Sequence, residues 1–214
     1  MNMVLNKNVL IADDHLMFRQ GLKALLEGNG FHVIAEASNG HEAIRLARQL
    51  NPTIAILDFG MPMLNGIDAA QEIHKQSPRT QVVMLTMHEE EVYALEALKA
   101  GIRGYVLKSQ TSYDLINAIL EVLRGAIYMS PKISETVVKS LSSKQEHPDE
   151  LLTCRERQVL QLIAEGKTTK DIATVLNLSV KTAESHRSRI MQRLDMHNIA
   201  SLVRYAIRRG MIQA

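Results

Sequence analysis

Five polar residues close short apolar runs. Asp13 and Asp14 follow Val9-Leu10-Ile11-Ala12, Asp58 follows Thr53-Ile54-Ala55-Ile56-Leu57, Thr86 follows Gln81–Leu85, and Lys108 follows Gly104–Leu107. Three carboxylates gathered in one place repel one another unless a cation sits among them, and an all-oxygen donor set selects a hard ion such as Mg²⁺. Gly60, just past Asp58, offers a backbone carbonyl to the same ion. A carboxylate neutralised in this way is able to attack a phosphoryl group and become an acyl phosphate. Lys108 brings a compact positive charge for the phosphoryl oxygens, and Thr86 a hydroxyl that rotates towards them.

These side chains meet only if the runs are neighbouring strands of one sheet. The runs Asn8–Ala12, Phe31–Glu36, Thr53–Leu57, Gln81–Leu85 and Gly104–Leu107 alternate with stretches of helical period at Leu16–Glu27, His41–Leu50, Gly66–Gln76, Glu89–Ala100 and Ser112–Leu123. Strands buried on both faces are apolar without strict alternation, so the pattern predicts a five-stranded parallel sheet covered by helices, a doubly wound α/β domain. Turns fall at Gly28-Asn29-Gly30, Asn51-Pro52, Ser77-Pro78 and Gly101. In such sheets ligands gather at the carboxyl ends of the strands, where all five residues lie.

The Asp13-Asp14 pair, Asp58 with Met61-Pro62 and Gly66 behind it, Thr86, and Lys108 preceded by Tyr105 stand in the order of a two-component receiver domain, which this half of the chain resembles. The resemblance implies a flavodoxin-like strand order 2-1-3-4-5. It also implies that a sensor histidine kinase phosphorylates Asp58, that Asp13 and Asp14 help hold Mg²⁺, and that Thr86 and Tyr105 move together as a switch. An aromatic in a strand is equally a core residue, so Tyr105 carries both readings. Ser109 stands where many receivers have proline. Gly60 and His88 flank the route of water to the phosphoryl group, and a bulkier side chain at 60 is expected to lengthen phosphate lifetime.

A helix is expected from Ser130 to about Leu141, with Pro131 in its first turn, and then a polar linker from Ser142 to Asp149. The expected divisions are 1–126, a connecting helix and linker over 127–149, and 150–214. Charge changes across that linker: residues 1–143 carry 13 Lys+Arg against 15 Asp+Glu, residues 144–214 carry 12 against 8. A basic module of this kind suits an anionic partner such as nucleic acid. Only helical periods remain in it. Thr153 with Glu156 and Thr168 with Asp171 form capping boxes, and Asn177-Leu178-Ser179 turns tightly into a helix over Val180–Leu194. A last helix, Asn198–Arg209, ends at Gly210.

In the Val180–Leu194 helix, Ala183, His186, Ile190 and Leu194 share a docking stripe, whereas Lys181, Glu184, Ser185, Ser188 and Gln192 lie opposite. That small polar face suits the major groove of B-DNA, with Thr182, Arg187, Arg189 and Arg193 beside it for phosphates. The segment Leu152–Arg157, Gly166, Ile172-Ala173 and Ser179–His186 resembles the LuxR-type helix-turn-helix, an all-α four-helix module. Together with a receiver it resembles the NarL/FixJ group of transcriptional regulators. The resemblance implies double-stranded promoter DNA with two half-sites, base reading from the Val180 helix, and homodimerisation on phosphorylation through the last helix. By position Glu184, Ser185 and Ser188 are the base readers. Ile199, Leu202, Val203 and Ala206 form a stripe that is either the dimer seam or core.

Other classes fit less well. The single cysteine, Cys154, allows no internal disulfide and points to a reducing compartment, the cytoplasm. No apolar run approaches the roughly 20 residues of a membrane span. The histidines at 15, 32, 41, 74, 88, 147, 186 and 197 show no short ligand spacing, so no zinc site is expected. An aspartyl-phosphate phosphatase needs a second acid two residues after its nucleophile, whereas Asp58 is followed by Phe59-Gly60. A protein-binding adaptor remains as the other alternative, separated from a DNA-binding regulator by the salt dependence of duplex binding.

Overall fold

The computed structural model describes residues 7–89, 91–143 and 152–212. The chain divides into two compact units near residue 145. Residues 144–149 of the expected linker lie outside the described residues.

The first unit alternates β1 (Asn8–Ala12), α1 (Leu16–Gly28), β2 (His32–Ala37), α2 (Gly40–Leu50), β3 (Ile54–Asp58), α3 (Gly66–Gln76), β4 (Gln81–Thr86), α4 (Glu91–Lys99), β5 (Gly104–Leu107) and α5 (Ser112–Leu123). A two-residue strand β6 (Tyr128–Met129) and helix α6 (Pro131–Ser143) follow. The sheet runs β2-β1-β3-β4-β5-β6, with every pairing parallel. The five strands expected from the sequence are there in the order 2-1-3-4-5. The sixth was not expected, because two residues carry no periodicity and pair only once β5 offers its open edge.

Burial explains the apolar runs. Every residue of β3 is buried, and Val9, Ile11, Ile54, Ile56, Val83 and Val106 join Leu22 and Leu26 of α1 and Leu115 and Ile119 of α5 in one core. Each such aliphatic side chain contributes about 1.5–3 kcal/mol on burial. Helix starts are set by local polar residues: Asn39 accepts from the Glu42 amide, Asn65 from the Asp68 amide, and Thr111 makes a capping box with Asp114.

The second unit holds α7 (Cys154–Ala164), α8 (Thr169–Val175), α9 (Val180–Arg193) and α10 (Ile199–Arg208). Both predicted capping boxes form, Thr153 with Glu156 and Thr168 with Asp171, and Ser179 caps α9 through the Thr182 amide. Leu160 and Leu162 of α7, Ile172 of α8, Ala183 and Ile190 of α9, and Leu202 of α10 make its core.

Candidate functional site

Register delivers the acidic site. Ala12 is level with Leu57, Leu57 with Met84, Asp58 with Leu85, and Thr86 with Leu107. The last or next residue of each strand therefore emerges along one edge, which gathers Asp13, Asp58, Thr86 and Lys108. Close packing holds the edge together: a Cβ built on Gly66, the first residue of α3, would sit 2.1 Å from the Asp58 carbonyl oxygen. Only glycine lets α3 start there, and its amide donates to the Phe59 carbonyl at 2.9 Å.

Lys108 Nζ donates to Asp13 Oδ2 at 2.8 Å and lies 3.0 Å from Asp58 Oδ1. Asp13 Oδ1 accepts the His15 amide at 2.8 Å, and His15 Nδ1 lies 2.9 Å from Asp14 Oδ1. One ligand atom from each of Asp13, Asp14, His15 and Asp58 falls within 4.8 Å of the others. Burial raises the Asp58 pKa, the charges of Asp13 and Asp14 add to the rise, and Lys108 opposes it without cancelling it. Burial pulls the Lys108 pKa down, but Asp58 and Asp13 outweigh it, so the ammonium is held firmly charged. Three carboxylates face one ammonium here, a hard-oxygen surplus of negative charge that fits a divalent cation.

The Phe18 ring, 4.5 Å from Lys108 Nζ, faces the same ammonium. Sequence reasoning passed over both Phe18 and His15. The signal for His15 was its place directly behind the paired aspartates. For Phe18 there was none, since its ring reaches the lysine only through the packing of α1 beside β5.

Thr86 and Tyr105 sit to one side of the carboxylates and are joined through His88. The His88 amide donates to Thr86 Oγ1 at 3.1 Å, and the Tyr105 hydroxyl donates to the His88 carbonyl at 3.0 Å. The His88, Phe59 and Tyr93 rings pack in a triangle, with His88 4.6 Å from Phe59 and 4.9 Å from Tyr93 and those two 5.0 Å apart. Tyr105 is thus both fully buried and hydrogen-bonded into the loop behind Thr86. Gly60 stands in the loop behind β3, half-buried.

In the second unit, Lys181, Thr182, Glu184, Ser185, Ser188 and Arg189 are exposed along α9 and Arg187 is half-buried, while Ala183 and Ile190 face the core. His186 is half-buried on the docking side, its Nδ1 without a hydrogen-bond partner among the described residues. The packing narrows two expectations. Arg193 donates to Glu156 Oε2 at 2.6 Å, so it holds α9 to α7 and is not simply a phosphate ligand. Leu202 and Ala206 are 0% exposed in the core of their own unit, because α10 turns that side towards α7, which leaves Ile199, at 46%, and half-buried Val203 for any seam.

Residues 9–120 match the response regulator receiver domain and residues 150–206 the bacterial regulatory proteins of the luxR family. The chain belongs to the LuxR-type response regulators. It is similar to the oxygen regulatory protein NreC of Staphylococcus carnosus, at 34% identity over 95% of this chain and 98% of that one. Similarity extends to the response regulator UvrY of Escherichia coli, at 32% identity over 97% of this chain and 96% of that one. Among solved structures it resembles RcsB of Salmonella enterica serovar Typhimurium, bound to promoter rprA in the presence of phosphomimetic BeF₃⁻. That match has 29% identity, covers 94% of this chain and 98% of the other, and has a TM-score of 0.67. Such response regulators are DNA-binding transcription regulators of the NarL/FixJ group and not enzymes. Among the described residues no helix is long and apolar enough to cross a membrane.

Proposed function

We propose that Asp58 is the phosphoacceptor of this response regulator, with residues 1–126 as receiver, 127–149 as connecting helix and linker, and 150–214 as DNA-binding domain. The carrying observation is the Lys108 ammonium bridging Asp13 and Asp58 inside a group of three carboxylates. An Asp58 oxygen attacks the phosphorus of a phosphohistidine on a sensor histidine kinase; the new P–O bond forms as the P–N bond breaks, and the imidazole leaves. Asp13, Asp14, Asp58 and the Gly60 carbonyl would hold Mg²⁺, which as a Lewis acid offsets the charge on the phosphoryl oxygens. Lys108 exchanges its contact with the Asp58 carboxylate for one with a phosphoryl oxygen. Thr86, whose oxygen accepts from His88, still has a hydroxyl proton to donate to another.

The new group must shift a conformational balance. Moving it from 1:99 to 99:1 takes about 5.5 kcal/mol. One hydrogen bond to a charged group contributes roughly 1.5–3 kcal/mol, so Lys108, Thr86 and the cation must act together. Tyr105 follows Thr86 through His88.

The exposed face of α9 enters the major groove of double-stranded promoter DNA, with Glu184, Ser185 and Ser188 at the bases and Lys181, Thr182, Arg187 and Arg189 at phosphates. Phosphorylation promotes a homodimer on two half-sites, for which Ile199 and Val203 offer the seam. The protein acts in the cytoplasm with a sensor kinase as partner.

The test is incubation with acetyl phosphate and Mg²⁺ followed by intact-mass measurement. The parent gains one phosphoryl group and Asp58→Ala gains none; equal gain in both would overturn the reading.

A further inference from the structure

Helix α6, the last element of the first unit, begins against the strand that serves the acidic site. Its first turn is preceded by Ser130, which is 1% exposed. The Ser130 amide donates to the Tyr105 carbonyl at 3.0 Å, continuing the short β6 ladder. Its hydroxyl lies 3.2 Å from that same carbonyl, accepts from the Leu107 amide at 3.4 Å and contacts the Gln110 side chain. Ser130 is therefore bonded to β5 at the tyrosine whose hydroxyl reaches His88, and at the residue immediately before Lys108.

A buried hydroxyl is costly unless bonded, and this one spends its bonding capacity on β5 and the loop behind it. Pro131 follows at the first helical position, where its fixed φ stiffens the start of α6. Ile133 and Val137 then bury the inner side of the helix. A second tie runs from Lys132 to Glu89, which neighbours the His88 that accepts the Tyr105 hydroxyl. The start of α6 is thus bonded to β5 at Tyr105 and Leu107 and, at the surface, to Glu89 in the loop that follows Thr86, while the body of the helix packs on α4. A shift of β5 therefore acts directly on the start of α6.

We propose that Ser130 is a positioning residue that ties the orientation of α6 to the state of the Asp58 site, through its hydrogen bonds to the β5 backbone at Tyr105 and Leu107. This rests on phosphorylation at Asp58. The helix ends at Ser143, so a change in its direction is handed to the chain that leads into the DNA-binding unit.

Hydrogen exchange of the full chain, read by mass spectrometry with and without acetyl phosphate and Mg²⁺, tests the assignment. In the parent, exchange of α6 amides changes on phosphorylation by about fivefold or more, within the range usual for coupling. Ser130→Ala takes up the phosphoryl group as the parent does, yet its α6 response falls below about twofold, and Ser130→Thr, which keeps the hydroxyl, restores it. A merely structural serine would alter α6 exchange equally in both states and leave the difference between them intact. A parent that gains the phosphoryl mass with no α6 response overturns the proposal without any variant. So does a Ser130→Ala protein that responds like the parent. Absence of the mass gain at Asp58 instead brings down the phosphorylation reading, and this proposal falls with it.

Discussion

Asp58 in the first unit and Glu156 in the second are both buried carboxylates beside a cation, and the two have opposite fates. Asp58 is 6% exposed, accepts the Phe59 amide at 2.8 Å and lies 3.0 Å from Lys108, but it shares that lysine with Asp13 and faces Asp14 as well. Glu156 is 2% exposed, and its Oε2 alone accepts from the Thr153 amide, the Thr153 hydroxyl and Arg193. Burial raises the Asp58 pKa and its neighbours leave it raised. Burial also acts to raise that of Glu156, but Thr153 and Arg193 outweigh it and the pKa falls. A buried charge with enough donors serves the fold, whereas one left short of them is available for chemistry.

The sharpest way to break this contrast is to remove each charge. Asp58→Asn should abolish phosphoryl uptake by intact mass and yet raise the thermal midpoint at neutral pH. The sign follows from the raised pKa: the favourable, protonated Asp58 is fully present below the ordinary carboxylate range and is lost as pH rises through the folded value. The gain from Asp58→Asn therefore grows with pH and vanishes in acid. A variant less stable than the parent at neutral pH would show that Asp58 holds the fold after all.

Glu156→Ala should destabilise the second unit by about 1.5–3 kcal/mol, the cost of losing hydrogen bonds to a buried charged group. Here the sign reverses: the contribution is present above the ordinary carboxylate range and is lost as pH falls through the lowered value, so urea midpoints of parent and variant converge in acid. Gly66→Ala should cost about 1–3 kcal/mol by overpacking and slow phosphorylation, since the added methyl displaces the Asp58 backbone. Normal phosphorylation kinetics in that variant would mean that α3 moves instead of Asp58. Thr153→Ala, which removes one cap but leaves Arg193, should cost only about 1 kcal/mol. Ser188→Ala on the exposed face should stay within roughly 0.5 kcal/mol in a melt while weakening duplex binding.

Much of the acidic site was legible because each of its members closes an apolar run, and a parallel sheet sends all run ends to one edge. Asp13, Asp58 and Lys108 could be placed together from that rule alone. Tyr105 could not be resolved between core and switch, because a buried ring with a bonded hydroxyl is both. The recognition face of α9 was legible from its stripe of small polar residues, since helical period separates the docked from the exposed side. The bond from Arg193 to Glu156 was not legible for the same reason: period gives direction around a helix axis but not the reach of a long side chain.

The amino-acid sequence by itself determined the alternation of strands and helices, the caps, the carboxylates at the strand ends and the family, because these depend on local pattern and residue type. Tertiary structure alone decided that β6 adds to the sheet, that Phe18 joins the acidic site, that Leu202 and Ala206 belong to the core, and that Ser130 bonds to β5. Each of these depends on which distant segment lies alongside, and chain order does not record that proximity.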